Sequence, residues 1–259
     1  MKNNKIKITI LGSGSFPSDL EHYGPSYLLE INDKRVLVDC GMGTNFRLID
    51  LGIDPDDIDY IFLTHFHSDH TTELVPLLMR LYLKIAIYNI KISPKEIYGP
   101  KGTPAFIETL KGAYYHKKHI DSMGEQIRYR ELEDKKSFEG FSVTPFSVQH
   151  LDVPSYAYRF EIDGKTVVFS GDTSDCEGIK KAAKDADVFI ADCSFHKGID
   201  VPVHLNTKQI GTMAKEAKVK KVILSHLLPS GYDKDLVSEV KETFDGEVVL
   251  ARDKMEIEV

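Results

Sequence analysis

The sequence predicts an α/β fold in which two β-sheets stack between outer layers of helices, a four-layer αββα sandwich. Strands and helices alternate along the whole chain, and both halves are rich in strands. Residues 72–84 carry apolar residues at helical spacing, as a helix packed on a sheet does. No low-complexity linker or short-period repeat interrupts the alternation, so we predict a single domain over residues 1–259.

Each half of the chain contributes its own set of elements. In the first half we predict strands at 6–11, 26–31, 35–39, 60–64, 96–98 and 127–132, and helices near 44–51, 72–84 and 104–111. In the second half we predict strands at 141–149, 156–162, 165–170, 187–191, 221–224 and 247–250, and helices near 176–184, 207–217 and 234–243. Asn32-Asp33 and Asp163-Gly164 are typical hairpin turns between neighbouring strands.

Composition excludes several classes of protein. Hydrophobic residues make up 42% and charged residues 28% of the 259 residues, as in ordinary globular proteins. No apolar run approaches the roughly 20 residues that span a bilayer, and we find no secretory signal, so no membrane association is expected. Cys40, Cys176 and Cys193 are widely spaced and odd in number, which favours a reducing compartment over a disulfide framework. We therefore predict a cytoplasmic location.

The charge distribution bears on the partners of the protein. A net charge of −7 argues against a broad, non-specific nucleic-acid surface. Between Arg80 and Lys118, however, eight basic residues stand against two acidic ones. This stretch is either a solvated, lysine-decorated face or an anion-attracting rim beside a functional site, and the first interpretation is the more common.

The densest cluster of metal-ligand side chains follows a short apolar strand, in Thr64-His65-Phe66-His67-Ser68-Asp69-His70. Alternate residues of an extended segment point the same way, so His65 and His67 can hold one ion together. Asp69 and His70, at the turn into the next helix, can serve a second ion. A lone histidine is usually a surface or core residue, but burying several uncompensated imidazoles together is costly, which favours a metal centre.

Three further candidates stand at the ends of predicted strands, namely His150, Asp172 and His226. Taken singly, the two histidines have an ordinary explanation as caps and the aspartate as a turn residue. Together they complete two ligand sets: His65, His67 and His150 around one metal, Asp69, His70 and His226 around the other, and Asp172 between them. Two cations roughly 3.5–4 Å apart need such a shared carboxylate to offset their repulsion.

The segment His65-Phe66-His67-Ser68-Asp69-His70 resembles the H-x-H-x-D-H signature of the metallo-β-lactamase superfamily. Further segments, in order along nearly the whole chain, resemble the ribonuclease Z branch of that superfamily. They are Leu11-Gly12-Ser13-Gly14-Ser15, Val38-Asp39-Cys40-Gly41-x-Gly43-Thr44, Ile97-Tyr98-Gly99-Pro100, Pro154-Ser155-Tyr156, Ser170-Gly171-Asp172-Thr173 and Ser225-His226. The resemblance implies the metallo-β-lactamase fold, which is an αββα sandwich, and the seven ligands just named.

Two further roles come from the resemblance. His204, in His204-Leu205-Asn206-Thr207, resembles the histidine of that branch's H-S-T segment, which lies beside the metals and contacts the phosphate. Its ordinary explanation is a loop histidine near a helix N-cap. Asp39 resembles the carboxylate that supports the ligands from behind, although a strand-end turn residue would look the same.

One departure from the branch concerns the substrate. Members that process transfer RNA carry a long Gly/Pro-rich arm between the ligands that match His150 and Asp172. Here these two residues are 22 positions apart, and the predicted hairpin 156–170 fills the interval. We therefore expect a small phosphodiester or nucleotide substrate, as in the armless phosphodiesterases, and poor processing of tRNA. A homodimer could partly restore an RNA-binding surface by placing two basic stretches side by side.

The expected activity is hydrolysis at two divalent ions, zinc first, with manganese or iron as options. Such a pair lowers the pKa of a bound water from about 15.7 towards 7, so a metal-bound hydroxide can attack phosphorus. Asp69 is expected to accept the proton of the water, and His204 to donate to a phosphate oxygen or the leaving group.

Carboxylic-ester, lactone or thioester hydrolysis would use the same ligands, and tRNA 3′ processing is a further alternative. The intact ligand set argues against a non-catalytic partner protein.

Overall fold

The computed structural model describes residues 6–16 and 19–259. Two seven-stranded β-sheets face each other, and helices pack against the outer side of each. This architecture is the four-layer αββα sandwich that the alternation of strands and helices predicts.

The first sheet has the strand order β14-β1-β2-β3-β4-β5-β6. Strands β3 to β6 are parallel, so their carboxyl ends lie along one edge, where β3 and β4 deliver the first candidate site residues. The strands of this sheet are β1 (Ile6–Gly12), β2 (Ser26–Ile31), β3 (Lys34–Val38), β4 (Tyr60–Phe62), β5 (Lys95–Gly99), β6 (Ile127–Glu131) and β14 (Glu256–Glu258).

The second sheet has the strand order β13-β12-β11-β10-β9-β8-β7. Strands β10 to β13 are parallel, whereas β7 to β10 pair antiparallel. The strands are β7 (Lys136–Phe138), β8 (Phe141–Val148), β9 (Ser155–Ile162), β10 (Lys165–Phe169), β11 (Val188–Asp192), β12 (Lys221–Ser225) and β13 (Glu247–Leu250).

Helices and short helical turns cover the outer faces of the sheets. The α-helices are α1 (Thr44–Asp50), α2 (Ser68–Thr71), α3 (Leu74–Ala86), α4 (Thr103–Ala113), α5 (Lys117–Asp121), α6 (Glu177–Ala183), α7 (Thr207–Glu216) and α8 (Leu236–Lys241). Three-residue 3₁₀ turns occur at Pro55–Asp57, Gly124–Gln126 and Pro229–Gly231. Within the described residues, we find no helix with the length and apolar character needed to cross a bilayer.

Three layers of buried side chains hold the sandwich together. The central layer lies between the sheets, and in it the Phe62 ring of the first sheet packs edge-on against Tyr158 and Phe160 of the second. A second layer packs α3, through residues such as Leu77 and Leu81, against the first sheet, and a third packs α6, α7 and α8 against the other sheet. Both faces of each sheet are therefore buried, which explains why the central parallel strands read as continuous apolar runs.

Both predicted hairpin turns are confirmed. Asn32 adopts a positive φ of 56° between the paired strands β2 and β3. Asp163 and Gly164 have φ of 47° and 79° and join β9 to β10 in direct register. Positive φ at both central residues is the requirement of a type I′ turn, whose twist matches that of the flanking strands.

The structure also contains elements that the sequence pattern did not indicate. Strands β7 and β14 and helices α2 and α5 are all five residues or shorter, too short for a periodic signal. The segment predicted as one helix at 72–84 is α3, preceded by the separate turn of α2. Strand β14 returns the carboxyl end of the chain to the first sheet, where it pairs with β1. The two sheets are therefore not built strictly from the two halves of the sequence.

Candidate metal centre

The predicted site residues meet where strand ends of the two sheets face each other. His65 follows β4, and Asp172 and His226 follow the parallel strands β10 and β12. His150 follows β8, which runs antiparallel to β9. All seven predicted ligands and His204 come together at this edge. Parallel strands explain the convergence, because their carboxyl ends lie on the same side of a sheet.

Local geometry brings the segment after β4 into place. His67 is the N-cap of the single helical turn α2, so the chain is extended up to His67 and helical at Asp69. The Thr71 hydroxyl donates to the His67 carbonyl at 2.9 Å, and the Cys40 amide donates to the His70 carbonyl at 2.8 Å. These bonds fix the turn against the end of β3, so its side chains are directed into the site.

The first ligand group consists of His65, His67, His150 and Asp172, whose candidate ligand atoms all lie within 4.8 Å of one another. His67 Nδ1 and His150 Nε2 are 3.1 Å apart. Asp172 Oδ2 lies 3.7 Å from His65 Nε2 and 3.6 Å from His150 Nε2. Three imidazoles and a carboxylate at these separations can surround a single cation.

The second ligand group consists of Asp69, His70, Asp172 and His226, again within 4.8 Å. Asp172 Oδ1 lies 3.1 Å from His70 Nε2 and 3.2 Å from His226 Nε2. Asp69 Oδ2 lies 3.7 Å from His70 Nε2 and 3.5 Å from His226 Nε2. Asp172 thus belongs to both groups and turns one oxygen towards each.

Gly171 makes the placement of Asp172 possible. It has a φ of +57°, and a Cβ at this position would lie 2.8 Å from Thr64 Cβ. A side chain would therefore combine an unfavourable backbone conformation with a steric clash against the segment that carries the first histidines. The Gly-Asp pair after β10 is explained by this close approach of the two sheets.

The hydrogen bonding of buried polar atoms in both groups shows whether a cation fits there. His65 Nε2, His70 Nε2, His226 Nε2 and Asp172 Oδ1 are buried and have no hydrogen-bond partner within the described chain. Buried polar atoms normally have a partner, because an unsatisfied one is costly. Four unsatisfied nitrogen and oxygen atoms that converge on shared points match the donor set of a divalent metal centre.

In three of the candidate histidine ligands, the other ring nitrogen, Nδ1, contacts a polar group behind the site. His70 Nδ1 contacts Asp39 Oδ2 at 2.8 Å, and His150 Nδ1 donates to the Val203 carbonyl at 2.9 Å. His65 Nδ1 lies 3.1 Å from Thr64 Oγ1. A hydrogen bond at Nδ1 fixes the ring orientation and leaves the Nε2 lone pair for a metal, the usual arrangement behind metal-bound histidines.

Asp39 lies behind the ligands, the position that the resemblance implies. Its carboxylate accepts from the Thr64 amide at 2.7 Å and from the Thr64 hydroxyl at 2.9 Å, in addition to its contact with His70. Its φ of 60° is unusual for a non-glycine residue. The residue that follows β3 thus adopts the left-handed backbone conformation, which directs its carboxylate into the site.

Asp192, at the end of β11, is a site residue that the sequence reasoning missed. Its Oδ2 lies 2.8 Å from His204 Nδ1, and its Oδ1 accepts from the Ser194 hydroxyl at 2.6 Å. That hydroxyl lies 2.9 Å from His226 Nδ1. In the sequence Asp192 is only a single aspartate at the end of an apolar strand. The sheet order places that strand between those leading to Asp172 and His226.

His204 lies beside the second ligand group. Its ring stacks on His226 with centroids 5.5 Å apart, and its Nδ1 is 4.0 Å from Asp172 Oδ2. With Asp172, Asp192 and His226 it forms a third set of ligand-type atoms within 4.8 Å. The hydrogen bond to Asp192 occupies Nδ1, so Nε2 is the nitrogen that remains for another partner.

Without bound ions, the close approach of these buried ionisable side chains shifts their pKa values. Burial would lower the pKa of His226, but the charge of Asp172 and the hydrogen bond to Asp192 raise it to about 10. Burial and the neighbouring imidazoles hold the pKa of His65 well below its usual value. Burial would raise the pKa of Asp172, but the surrounding histidines bring it well below its usual range. Ligand protons must leave when a cation binds, so binding is coupled to proton release.

A cavity of about 400 Å³ opens onto both ligand groups. Its polar lining residues are His67, Asp69, His150, Asp172 and His204, together with two serines. Its apolar lining residues are Phe16, Leu151, Val203 and Leu228. No lysine or arginine is among the described residues that line it. The cavity therefore combines the candidate ligands with apolar contacts.

Within the described residues, four of the eight basic side chains between Arg80 and Lys118 form ion pairs with acidic partners. Arg80 and Lys84 form ion pairs with Asp54 and Asp56. Lys111 and Lys117 pair with Glu108 and Asp121. Lys84, Lys91 and Lys95 line a separate polar cavity of about 550 Å³. These contacts support the interpretation as an ordinary charged face and give no support to an anion-attracting rim at the site.

Comparison with known proteins agrees with the fold and the site. The chain is 30% identical to the protein named "Probable metallo-hydrolase YhfI" of Bacillus subtilis, over 95% of this chain and 97% of that protein. It is 28% identical to a ribonuclease Z of Archaeoglobus fulgidus, over 98% of each. The crystal structure of YhfI, a metallo-β-lactamase fold protein of Bacillus subtilis, matches with a TM-score of 0.85 and 26% identity, covering 99% of this chain and 100% of that one.

These similarities span nearly the full length of each protein, and they include the part of the chain that carries the two ligand groups. They confirm the predicted metallo-β-lactamase fold and the predicted class, a metal-dependent hydrolase similar to ribonuclease Z. The model of the family described as Anti-Pycsar protein Apyc1 matches residues 6–244. The chain therefore belongs to the family described as Anti-Pycsar protein Apyc1.

Proposed function

We propose that the chain is a dinuclear metal-dependent phosphodiesterase that acts on a small phosphodiester or nucleotide. The observation that carries the proposal is the position of Asp172 between the two ligand groups. Its Oδ2 faces His65 and His150, whereas its Oδ1 faces His70 and His226. A carboxylate in this position offsets the repulsion between two cations roughly 3.5–4 Å apart.

Each ligand group would hold one ion. Their imidazole and carboxylate donors suit zinc best, with manganese or iron as options. When bound, the two ions supply Lewis acidity and make hydroxide available near neutral pH. Asp39 and Thr64 would keep the rings of His70 and His65 in the required orientation, because each is hydrogen-bonded behind its ring. Asp192 would orient His204 in the same way.

Asp69 is proposed to act both as a ligand and as the acceptor of the proton of the attacking water. Burial alone would raise the pKa of this carboxyl, but the neighbouring imidazoles of His226 and His70 bring the pKa well below its usual range. Asp69 is therefore an ionised carboxylate at neutral pH, which is the form that a proton acceptor requires. It also lines the substrate cavity, within reach of a reacting group.

His204 is proposed to donate a proton or a hydrogen bond to a phosphate oxygen or to the leaving group. Burial would lower its pKa, but the charge of Asp192 and the hydrogen bond to it raise the pKa above the ordinary value. The imidazole is thereby kept in a form that can donate from Nε2. A preoriented donor of this kind stabilises the negative charge that develops on phosphate oxygens.

The nature of the substrate separates the two leading candidate functions. His204 and its carboxylate partner favour a phosphodiester, because a cationic donor matches the charge of a phosphate. The apolar lining residues, and the absence of lysine and arginine among the described residues around the cavity, are equally compatible with a carboxylic ester, lactone or thioester. A tetrahedral oxyanion beside two cations would be stabilised in the same way.

Turnover of matched chromogenic substrates tests the reaction class. We expect kcat/KM for bis(p-nitrophenyl) phosphate to exceed that for p-nitrophenyl esters and for lactones, measured with one zinc-reconstituted preparation. A preference for the carboxylic substrates would instead establish the alternative chemistry at the same ligands. Omitting metal during reconstitution is the control, and it should abolish both activities.

Metal content is a direct prediction of the two ligand groups. Elemental analysis after reconstitution should find close to two transition-metal ions per chain, because each group offers four nitrogen or oxygen donors. Chelation should remove the ions and the activity together, and zinc should restore both. Finding no bound ion after reconstitution would disprove the central proposal.

Processing of transfer RNA is proposed to be poor. Strands β9 and β10 fill the interval between His150 and Asp172 with a tight hairpin, in place of a long arm. The alignment with the Archaeoglobus ribonuclease Z extends over 314 positions, so that relative contains segments without a counterpart in this 259-residue chain. A folded RNA needs many phosphate contacts, and the net charge of −7 and the paired basic stretch offer few.

Cleavage of a precursor tRNA at near-physiological salt, compared with a small chromogenic diester, tests this expectation. Efficient cleavage of the diester with slow or unspecific cleavage of the RNA is the expected result. Rapid, site-specific cleavage at the 3′ end would restore the ribonuclease Z assignment. The oligomeric state should be measured by light scattering in the same samples, since homodimerisation, like the single-domain organisation and the cytoplasmic location, stays a prediction.

A further inference from the structure

We propose that Asp253 is a positioning residue for the second ligand group, to which it is connected through the loop Ser13–Ser15. Asp253 lies between β13 and β14, near the carboxyl end of the chain, and is not itself one of the candidate ligands. The inference rests on the proposed dinuclear function, because it concerns the affinity of one ion relative to the other.

Four donors converge on the Asp253 carboxylate. Its Oδ1 accepts from the Ser13 amide and from the Ser13 hydroxyl, both at 2.8 Å. Its Oδ2 accepts from the Tyr23 amide at 3.0 Å and from Arg47 Nη2 at 2.8 Å. The side chains of Asp253 and Arg47 are only 7% and 9% exposed, so the charge-assisted bonds are shielded from water.

Arg47 is itself fixed, which makes the carboxylate a rigid anchor. Its guanidinium lies over the Tyr23 ring at 4.1 Å, and its Nε donates to the Leu11 carbonyl at 3.2 Å. Asp253 is therefore held by Arg47 and in turn holds Ser13, a fully buried residue, in a single position. A buried, fully satisfied network of this kind specifies one loop conformation.

The loop is bonded to one member of the second ligand group and to the residue that follows another member. The Ser15 hydroxyl donates to Asp69 Oδ2 at 3.1 Å. The Ser13 carbonyl accepts from the amide of Leu227, the residue after His226, at 2.8 Å. His226 has a φ of 58°, so its direction depends on the backbone contacts that hold the turn. A shift of the loop would therefore displace both Asp69 and His226.

The first ligand group is held by other contacts. His150 is fixed by the Val203 carbonyl and His65 by the Thr64 hydroxyl. The Ser13 hydroxyl, the Ser15 hydroxyl and the Ser13 carbonyl are instead bonded to Asp253, Asp69 and Leu227, respectively. Loss of the Asp253 anchor should therefore weaken one ion far more than the other. A purely structural role would instead lower the stability of the whole chain and weaken both ions alike.

The test measures zinc dissociation constants by chelator competition, separately for each ion. Asp253→Asn and Ser13→Ala are each combined with two background substitutions. The background His67→Ala keeps the second ligand group intact. The background Asp69→Ala keeps the histidines of the first ligand group intact. Ser13→Ala removes one hydroxyl and leaves the ion pair between Arg47 and Asp253. This variant therefore tests the inference even if Asp253→Asn folds poorly. Lys254→Ala, which removes only an exposed pair with Asp50, is the matched control.

We expect both variants to weaken zinc binding about 10- to 100-fold in the His67→Ala background, the usual cost of removing support behind metal ligands. In the Asp69→Ala background the change should stay within about twofold, and Lys254→Ala should alter neither constant. Equal weakening in the two backgrounds, or a lower melting temperature of the ion-free chain without a change in affinity, would overturn the inference alone. A wild-type chain that binds fewer than two ions would overturn the dinuclear proposal together with it.

Discussion

Replacing Asp172 with alanine is expected to lower phosphodiester turnover by about three orders of magnitude or more. The substitution removes both oxygens that face the two ligand groups, so two cations would face each other without a shared anion. The fold should survive, because alanine is smaller and the removed carboxylate is not part of the apolar core. Steady-state kinetics and the melting temperature of the ion-free chain measure the two effects.

Asp175→Ala is the matched control for this substitution. Asp175 lies three residues further along the chain, its side chain is 36% exposed, and it pairs with Lys180 and belongs to neither ligand group. Turnover by this variant should stay near that of the unmodified chain. Full activity in Asp172→Ala would show that the carboxylate is not the bridge, whereas a lost fold in that variant alone would assign it a structural role.

His204→Ala should lower kcat by roughly 100-fold, the size of effect seen when one preoriented donor to an oxyanion is removed. KM should change less, because the imidazole would act mainly on charge that develops in the transition state. Metal content should stay close to two ions per chain, since the Asp192 bond occupies His204 Nδ1. Kinetics and elemental analysis on the same preparation separate these quantities.

A parallel loss of activity and metal would lead to a different conclusion. His204 shares a set of ligand-type atoms with Asp172, Asp192 and His226, so it could hold an ion itself. In that case His204→Ala would lose metal in proportion to activity, and the donor role would be rejected. His196→Ala provides the control, because its ring contacts the amide of Gly198 outside both ligand groups.

Much of the fold could be predicted from local patterns. Alternation of strands and helices indicated the layered sandwich, and the turn residues Asn32 and Asp163-Gly164 indicated two hairpins that the structure confirms. The short strands β7 and β14 could not be predicted, since three residues carry no periodicity and their pairing depends on a neighbouring strand. The return of β14 to the first sheet is likewise a tertiary contact that no local pattern encodes.

The candidate site, like the fold, could be predicted from the sequence only in part. The spacing of His65, His67, Asp69 and His70 after a strand indicated a metal centre because four such side chains in six positions seldom have another use. His150, Asp172 and His226 each had an ordinary explanation, and only their positions at strand ends suggested a shared site. Asp192 was missed, although it too ends a parallel strand, because a single aspartate carries no spacing signal.

The sequence by itself therefore determined the class of fold, the hairpins and the chemical type of the centre, because these depend on residue type and short-range spacing. Only the tertiary structure decided that the two oxygens of Asp172 face different ligand groups and that Asp192 orients His204. It also decided that basic residues such as Arg80 and Lys84 are paired with Asp54 and Asp56. These properties depend on the distances between residues that are far apart in the chain. Such distances are set by how the two sheets stack and by where their strands end.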